Sequence, residues 1–198
     1  MRRMLSPKSM TWRLLMLVCS AVPAASLSDW SNSAGVETRE LKFTDKSGDH
    51  VVRFVLSKER QSKDGDETIR SRELTITHLL GKKELFKAKD FVKDCAFDLS
   101  LEVQDGSIQL TDLDEDGEPE VSFVYALGCR SDVSPRTAKL LMYEGATKYA
   151  LRGQTVEQVG EKEFAGGAFE VDPAFKTGPK SFLEYATKQW KKHVGEVR

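Results

Sequence analysis

Cysteine and histidine are scarce in this sequence, with three of each among 198 residues. The histidines, His50, His78 and His193, lie outside any recognisable nucleophile motif, so a catalytic thiol or hydroxyl has no evident base. Positive charge is not in excess, because 30 Lys and Arg residues are balanced by 31 Asp and Glu residues scattered along the whole chain. Since nucleic-acid-binding proteins usually show a basic stripe with interleaved aromatic residues, we expect no nucleic-acid partner.

A hydrophobic run long enough to cross a bilayer is also missing. The apolar residues 14–22 fall well short of the roughly 20 that a membrane-spanning helix needs, and Pro23 follows them. Four basic residues precede this run, and Ala24 and Ala25 after it are small enough for cleavage. This order is typical of a secretory signal peptide, which we place at residues 1–25. After its removal the protein is not expected to span a membrane.

Export changes both the charge and the cysteine count. Cleavage near Ala25 removes four positive charges and no negative ones, which takes the formal net charge from −1 to −5. It also removes Cys19, whose lipidation is disfavoured because the preceding Val18 is bulkier than such processing normally accepts. In an oxidising compartment we predict a disulfide between the two remaining cysteines, Cys95 and Cys129. The alternative is a reactive cysteine, which would need a nearby base.

The rest of the chain is dominated by short segments in which apolar and polar residues alternate, which is typical of half-buried β-strands. We predict a mainly β fold: an antiparallel sheet or sandwich-like domain with a C-terminal helix. The length fits one domain, placed at residues 37–198 after a flexible leader at 26–36. The helix is predicted at 180–195, where apolar residues recur at helical spacing and lysines lie near the C-terminal end.

Turn-forming residues divide the predicted domain into hairpins. Residues 104–106 contain Asp-Gly between alternating segments, the strongest short signal for a hairpin. The polar residues 58–68 are predicted as a loop, whose acidic tip at 64–67 is interpreted as a solvated turn. Strands are expected at 38–44, 50–57, 69–80, 85–91, 95–103, 107–111, 121–127, 138–143, 148–152 and 168–171.

The most distinctive stretch is an acidic loop, DLDEDGEPE at residues 112–120, between two apolar alternating segments. Counted from Asp112, carboxylates occupy positions 1, 3, 5, 7 and 9, and Gly117 at position 6 allows a sharp turn. Oxygen ligands at this spacing suit calcium, which takes about six to eight oxygens in flexible geometry. The loop is not an EF-hand, because Phe123 stands where that motif needs a bidentate Glu.

This loop resembles the nine-residue calcium loop DxDxDGxxD/E of integrin-type propeller repeats, known as FG-GAP repeats. By that resemblance the side chains of Asp112, Asp114, Asp116 and Glu120 are calcium ligands, and the backbone carbonyl of Glu118 completes the set. The ion is expected to be structural. The alternative is an ordinary acidic turn without an ion, since Asp and Gly favour turns on local grounds. No internal repeat supports a whole propeller.

A wider set of motifs resembles a family of exported bacterial proteins labelled as surface polysaccharide biosynthesis proteins. The resemblance covers about residues 36–153. It implies a bacterial cell-envelope protein, periplasmic or secreted, and supplies no catalytic residue. The motifs are FTDKSGDHVV (43–52), DFVKDC (90–95), LTDLDEDGEPEVSFVY (110–125), CRSDVSP (129–135) and KLLMYEGATKYALRG (139–153).

The polar loop that follows Cys129 is the second candidate site. Ser131 and Ser134 suggest a nucleophile, but without a histidine nearby in sequence we expect the loop to be held by its own hydrogen bonds. Its charged residues are possible contacts for an anionic sugar or peptide ligand. These are Arg130, Asp132 and Arg136.

Three functions remain open from the sequence. The leading one is a non-enzymatic, calcium-stabilised domain that binds a partner protein or a cell-surface glycan. A second is a calcium-dependent hydrolase or transferase acting on envelope polysaccharide, with acid and base carboxylates drawn from Asp90, Asp94 and Asp98, since glycosidases use such pairs. A third is a secreted inhibitor or accessory protein.

Overall fold

Strands make up most of the chain in the computed structural model, which describes residues 22–195. The predicted signal peptide lies largely outside these residues, as does Cys19. Two helices follow the strands, α1 (Ala174–Thr177) and α2 (Lys180–His193). The strands are β1 (Ala25–Leu27), β2 (Ser31–Ser33), β3 (Val36–Asp45), β4 (Gly48–Leu56), β5 (Arg60–Asp64), β6 (Glu67–Leu80), β7 (Lys83–Cys95), β8 (Asp98–Val103), β9 (Gln109–Thr111), β10 (Glu120–Arg130), β11 (Thr137–Glu144), β12 (Thr147–Gln154), β13 (Glu157–Gln158), β14 (Phe164–Ala165) and β15 (Phe169–Val171).

The first sheet has seven antiparallel strands in the order β1-β3-β4-β6-β5, with β2 beside β3 and β7 beside β6. The long strand β6 organises this sheet. Its residues 74–80 pair with β4 and its residues 67–71 pair with β5, while β7 pairs along its other side. Strand β7 is therefore an edge of the first sheet.

The second sheet has the order β15-β12-β11-β10-β8, and β9 also pairs with β10. Strands β8 and β9 follow one another along the same side of β10, β8 beside residues 125–130 and β9 beside residues 120–122. A separate two-stranded sheet joins β13 to β14. Among the described helices, none is long and apolar enough to cross a membrane.

The two large sheets pack face to face around one apolar core. Phe54 of the first sheet meets Phe123 of the second edge to face, with ring centroids 5.1 Å apart. Phe86 of β7 stacks on Tyr143 of β11, with centroids 3.6 Å apart. Such aromatic pairs add specific contacts to the burial of apolar area. The predicted fold class, an antiparallel sandwich-like β domain with a C-terminal helix, is confirmed.

Helix α2 covers the other face of the second sheet. Its residues Phe182, Ala186 and Trp190 are buried in a second apolar cluster that includes Leu140 and Met142 of β11. Trp190 also donates from Nε1 to the carbonyl oxygen of Gly167 at 3.1 Å. Because both faces of β10 and β11 are covered, these strands are almost continuously apolar and show little alternation.

The predicted disulfide between Cys95 and Cys129 is confirmed, with the two Cα atoms 5.6 Å apart. Cys95 is the last residue of β7 in the first sheet, and Cys129 lies near the end of β10 in the second. The bond therefore fastens the two sheets to each other at one end of the sandwich.

Two predictions of irregular structure need correction. Residues 26–36, predicted as a flexible leader, contain most of β1 and all of β2, which both pair with β3. Residues 58–68, predicted as a loop, contain β5, which forms a hairpin with β6. Both segments were misjudged for the same reason: β2 and β5 are fully exposed, so their residues carry no apolar alternation.

The turn at residues 104–106 is present, but it does not close a hairpin. Strands β8 and β9 pair with β10 and not with each other. The Ser107 hydroxyl donates to the Val124 carbonyl and accepts from the Val124 N–H, both at 3.1 Å. The Ser107 side chain therefore bonds the segment between β8 and β9 to β10. The turn interrupts the edge of the second sheet, where β8 and β9 follow one another along β10.

Replacing both cysteines by alanine should lower the free energy of unfolding by about 3 to 4 kcal/mol, because the unfolded chain loses a cross-link that closes a loop of this length. Urea denaturation of the protein, with and without a reductant, measures this difference. The reductant should lower the stability of the native protein and leave that of the double variant unchanged. Equal stabilities of the two proteins without reductant would contradict the structural role of the bond.

Candidate functional site

The acidic loop connects β9 to β10 as the tip of a hairpin. Thr111, the last residue of β9, is the cross-strand partner of Glu120, the first residue of β10. Gly117 has a φ of +79°, a backbone conformation that glycine adopts without strain. The predicted order of strand, acidic loop and strand is confirmed.

The loop brings its carboxylates together in two overlapping groups. Asp112, Asp114 and Asp116 form one, and Asp114, Glu120 and Glu144 form the other. Within each group the carboxylate oxygens lie within 4.8 Å of one another. Asp114 belongs to both, so the two groups adjoin and together involve five carboxylates.

Glu118, predicted to contribute its backbone carbonyl, directs its side chain elsewhere. Its carboxylate lies 3.6 Å from the Lys46 ammonium group, which also donates to the backbone carbonyl of Asp116 at 3.1 Å. Lys46 and Glu118 are both about half exposed, so their ion pair is worth well under about 1 kcal/mol. Lys46 therefore holds the outer side of the loop.

Glu144 is a member of the site that the sequence analysis missed. It is the last residue of β11 and the cross-strand partner of Glu120 on β10. Facing residues of an antiparallel pair have their Cβ atoms about 4.5 to 5.5 Å apart, so the two carboxylates become neighbours. The only sequence signal for Glu144 was its position directly after the strand predicted at 138–143, in the turn of a hairpin.

The carboxylate of Glu120 is completely buried. It accepts hydrogen bonds from the Thr111 hydroxyl at 2.7 Å and from the Leu113 N–H at 3.1 Å. These donors favour the ionised form, but burial outweighs them and raises the pKa of Glu120 above its ordinary value, and the nearby Asp114 adds to this. Because both donors are neutral, the ionised form of Glu120 has no counter-charge among them.

The charges of Glu144 and Asp114, which are grouped with Glu120, are also disfavoured. One carboxylate oxygen of Glu144 is buried and has no hydrogen-bond partner among residues 22–195. Burial, followed by the charges of Asp114 and Asp116, raises the pKa of Glu144 to about 7. Burial and then Asp116 also raise the pKa of Asp114. A cation placed among these oxygens would relieve all three effects, and hard oxygen ligands select a hard cation.

The loop after Cys129 is held by its own charges. The carboxylate of Asp132 accepts hydrogen bonds from the N–H and hydroxyl of Ser134, and Arg130 donates to the Ser134 carbonyl. Arg130 and Arg136 both lie 3.4 Å from the carboxylate of Glu157. Arg136 also pairs with Glu102. All three predicted ligand-contact residues are thus engaged in structural bonds.

The three carboxylates of the enzyme hypothesis are not used alike. Asp90 is largely buried, pairs with Lys139 and accepts a hydrogen bond from the Tyr125 hydroxyl at 3.0 Å. Asp94 and Asp98 are exposed on either side of Cys95 and Phe97. Of the three, only Asp90 lines the cavity between β7 and β11. An acid and base pair from this set is therefore not supported.

A pair of histidines forms a second polar cluster inside the first sheet. His50 and His78 are both buried, and their ring nitrogens lie 2.9 Å apart. The other nitrogen of His50 lies 3.0 Å from both the Asp45 carboxylate and the Ser47 hydroxyl. His78 lies on the same face of β6 as the buried Leu74 and Ile76. Both partners contact the same nitrogen of His50, an arrangement unlike a catalytic triad.

Comparisons with protein families, with curated proteins and with solved structures found no match to this chain. The functional argument therefore depends on the geometry of its own residues. Of the clusters described, the acidic loop is the one whose carboxylates form groups close enough to hold a metal ion.

Acid should destabilise the protein through His78. Burial, with a smaller effect of His50, lowers the pKa of His78 to about 4, whereas an unfolded histidine titrates near 6.5. The unfolded chain binds the extra proton between these values, so stability present above about pH 6.5 is lost as the pH falls towards 4, by of order 3 kcal/mol. The substitution His78→Gln should remove this part of the pH dependence in urea denaturation. A variant that follows the native pH profile would contradict it.

Proposed function

We propose that this chain is a non-enzymatic domain of the bacterial cell envelope whose β9–β10 loop binds one structural calcium ion. The observation that carries the proposal is the buried carboxylate of Glu120, which is grouped with those of Asp114 and Glu144, next to the group that Asp114 forms with Asp112 and Asp116. The ligands are the side chains of Asp112, Asp114, Asp116 and Glu120. Glu144 from β11 joins them.

Calcium fits this set better than the other common divalent cations. The ligands are all carboxylate oxygens, which excludes a preference for zinc, since zinc sites in proteins favour His and Cys. Magnesium demands near-octahedral geometry and gives up its water reluctantly, whereas calcium accepts about six to eight oxygens in irregular positions. A ligand set drawn from one loop and two strands is of this irregular type.

The ion would act on the fold. Asp112, Asp114 and Asp116 lie in the loop, Glu120 on β10 and Glu144 on β11, so one cation would join the hairpin to the neighbouring strand. It would also replace the repulsion among five like charges by attraction. Affinity in the range of extracellular calcium modules, about 10⁻⁴ to 10⁻³ M, is sufficient for such a structural role.

The envelope location has support of three kinds. The sequence begins with a segment typical of a secretory signal. The Cys95–Cys129 disulfide suits an oxidising compartment, since such bonds are rare in the cytosol. The resemblance to exported surface polysaccharide biosynthesis proteins agrees with both. For such a domain the partner would be an envelope glycan or another envelope protein.

Calcium should raise the melting temperature of the exported chain. At about ten times the dissociation constant, binding adds about 1.4 kcal/mol, which corresponds to roughly 3 to 6 °C for a protein of this size. A chelator should reverse the shift, and magnesium at the same concentration should reproduce little of it. Thermal melts followed by circular dichroism measure all three. Identical melting temperatures with calcium and with chelator would rule out the ion.

Variants locate the effect. Asp114→Asn removes the carboxylate shared by both groups and should abolish the calcium shift. Glu144→Gln should raise the melting temperature without calcium, because it removes a charge without a counter-charge, and should reduce the shift with calcium. The matched control is Asp66→Asn, which removes a carboxylate from the exposed turn between β5 and β6 and should keep the full shift. A loss of the shift in this control would point to a different site.

A further inference from the structure

A second site with a different charge lies on the open side of the sandwich. There a cavity of about 400 Å³ separates the edge strand β7 from β11 and β12. Five basic residues and one acidic residue line it, although Lys87 and Lys89 are exposed and alternate with the buried Phe86 along β7. The basic residues are Lys87, Lys89, Lys139, Lys148 and Arg152, and the acidic one is Asp90. In a chain whose formal net charge is −1, this is a marked local concentration of positive charge.

Three of the cations project from the face of the second sheet that forms the core. Leu141 and Ala150 face the core, and successive side chains of a strand alternate between faces, so Lys139, Lys148 and Arg152 lie on that same inner face. Lys139 and Arg152 are direct cross-strand partners. Like charges placed opposite each other destabilise a sheet, so this arrangement has a cost.

The carboxylates nearby balance only part of the charge. Asp90 pairs with Lys139, Glu73 pairs with Lys89 at 2.9 Å, and Asp172 accepts a hydrogen bond from Arg152 at 3.0 Å. Lys148 is exposed, and no carboxylate among residues 22–195 lies within ion-pair distance of it. Although the residue as a whole is exposed, partial desolvation of its ammonium group, followed by the charge of Arg152, lowers the pKa of Lys148. Lys148 and the free edge of the Arg152 guanidinium are thus left to interact with an incoming group.

We propose that this cavity binds the carboxylate or phosphate group of an acidic ligand of about the size of a monosaccharide. Pockets for small molecules usually measure about 300 to 1,000 Å³, and this one is at the small end of that range. Arginine and lysine are the usual partners of such anions. The hydroxyl-bearing ring of Tyr143 and the ring of Phe86 complete the wall.

Inward charges on an edge region can also serve only to prevent sheets from joining edge to edge. That explanation predicts no preference for any ligand, whereas the cavity predicts selective binding of anions. The inference rests on the proposed function in one respect only. If the protein binds an envelope glycan, the cavity specifies that the glycan carries an acidic sugar. None of the calcium-loop carboxylates lines the cavity.

The test is a calorimetric titration of the exported chain at low ionic strength with glucuronate, glucose 6-phosphate and glucose. We expect one or both acids to bind with millimolar affinity or better, and glucose to bind at least about tenfold more weakly. Lys148→Glu should weaken the binding of the acid by about tenfold or more, because it reverses a charge at the mouth of the cavity. The matched control is Lys188→Glu on the exposed face of α2, which should change it less than about twofold.

Equal binding of acid and neutral sugar, or an unchanged affinity in Lys148→Glu, would overturn the inference. A calcium-dependent melting shift measured on the same samples separates it from the proposed function. A shift without anion binding removes only the cavity proposal. Anion binding without a shift removes only the calcium proposal.

Discussion

The carboxylate of Glu120 imposes the constraint on which this account depends. It is completely buried where β9 meets β10, and its hydrogen-bond donors, Thr111 and Leu113, are neutral. A buried charge without a counter-charge is expensive, so the group must either keep a proton or acquire a cation. Asp114 and Glu144 belong to the same group, so a single proton on Glu120 would leave their charges unbalanced. The arrangement is consistent with a loop built around an ion.

Strand β10 connects this constraint to the rest of the fold. Its first residue is Glu120, and its penultimate residue, Cys129, is bonded to Cys95 of the opposite sheet. Between these two positions both faces of the strand are buried, one against the first sheet and the other in the cluster under α2. The hairpin loop and the disulfide thus secure the two ends of the strand that takes part in both cores.

Local patterns were enough to predict the fold class, the disulfide, helix α2 and the clustering of Asp112, Asp114, Asp116 and Glu120. They failed where the structure depends on register. Glu144 lies 24 residues after Glu120 in the sequence, and only the pairing of β10 with β11 brings it to the loop. The basic cavity was missed for the same reason, since Lys139 and Arg152 meet across β11 and β12. An anionic ligand was anticipated for Arg130 and Arg136, but Glu157 engages both of these arginines.

A crystal structure of the protein grown with calcium, with anomalous scattering used to identify the ion, tests the calcium site most directly. The account predicts one calcium ion about 2.3 to 2.6 Å from carboxylate oxygens of Asp112, Asp114, Asp116 and Glu120, with Glu144 turned towards it. If these five carboxylates keep their positions at millimolar calcium and no anomalous peak lies among them, the calcium site is ruled out. The acidic cluster would then be an ordinary acidic turn without an ion, and the stability of the hairpin would need another explanation.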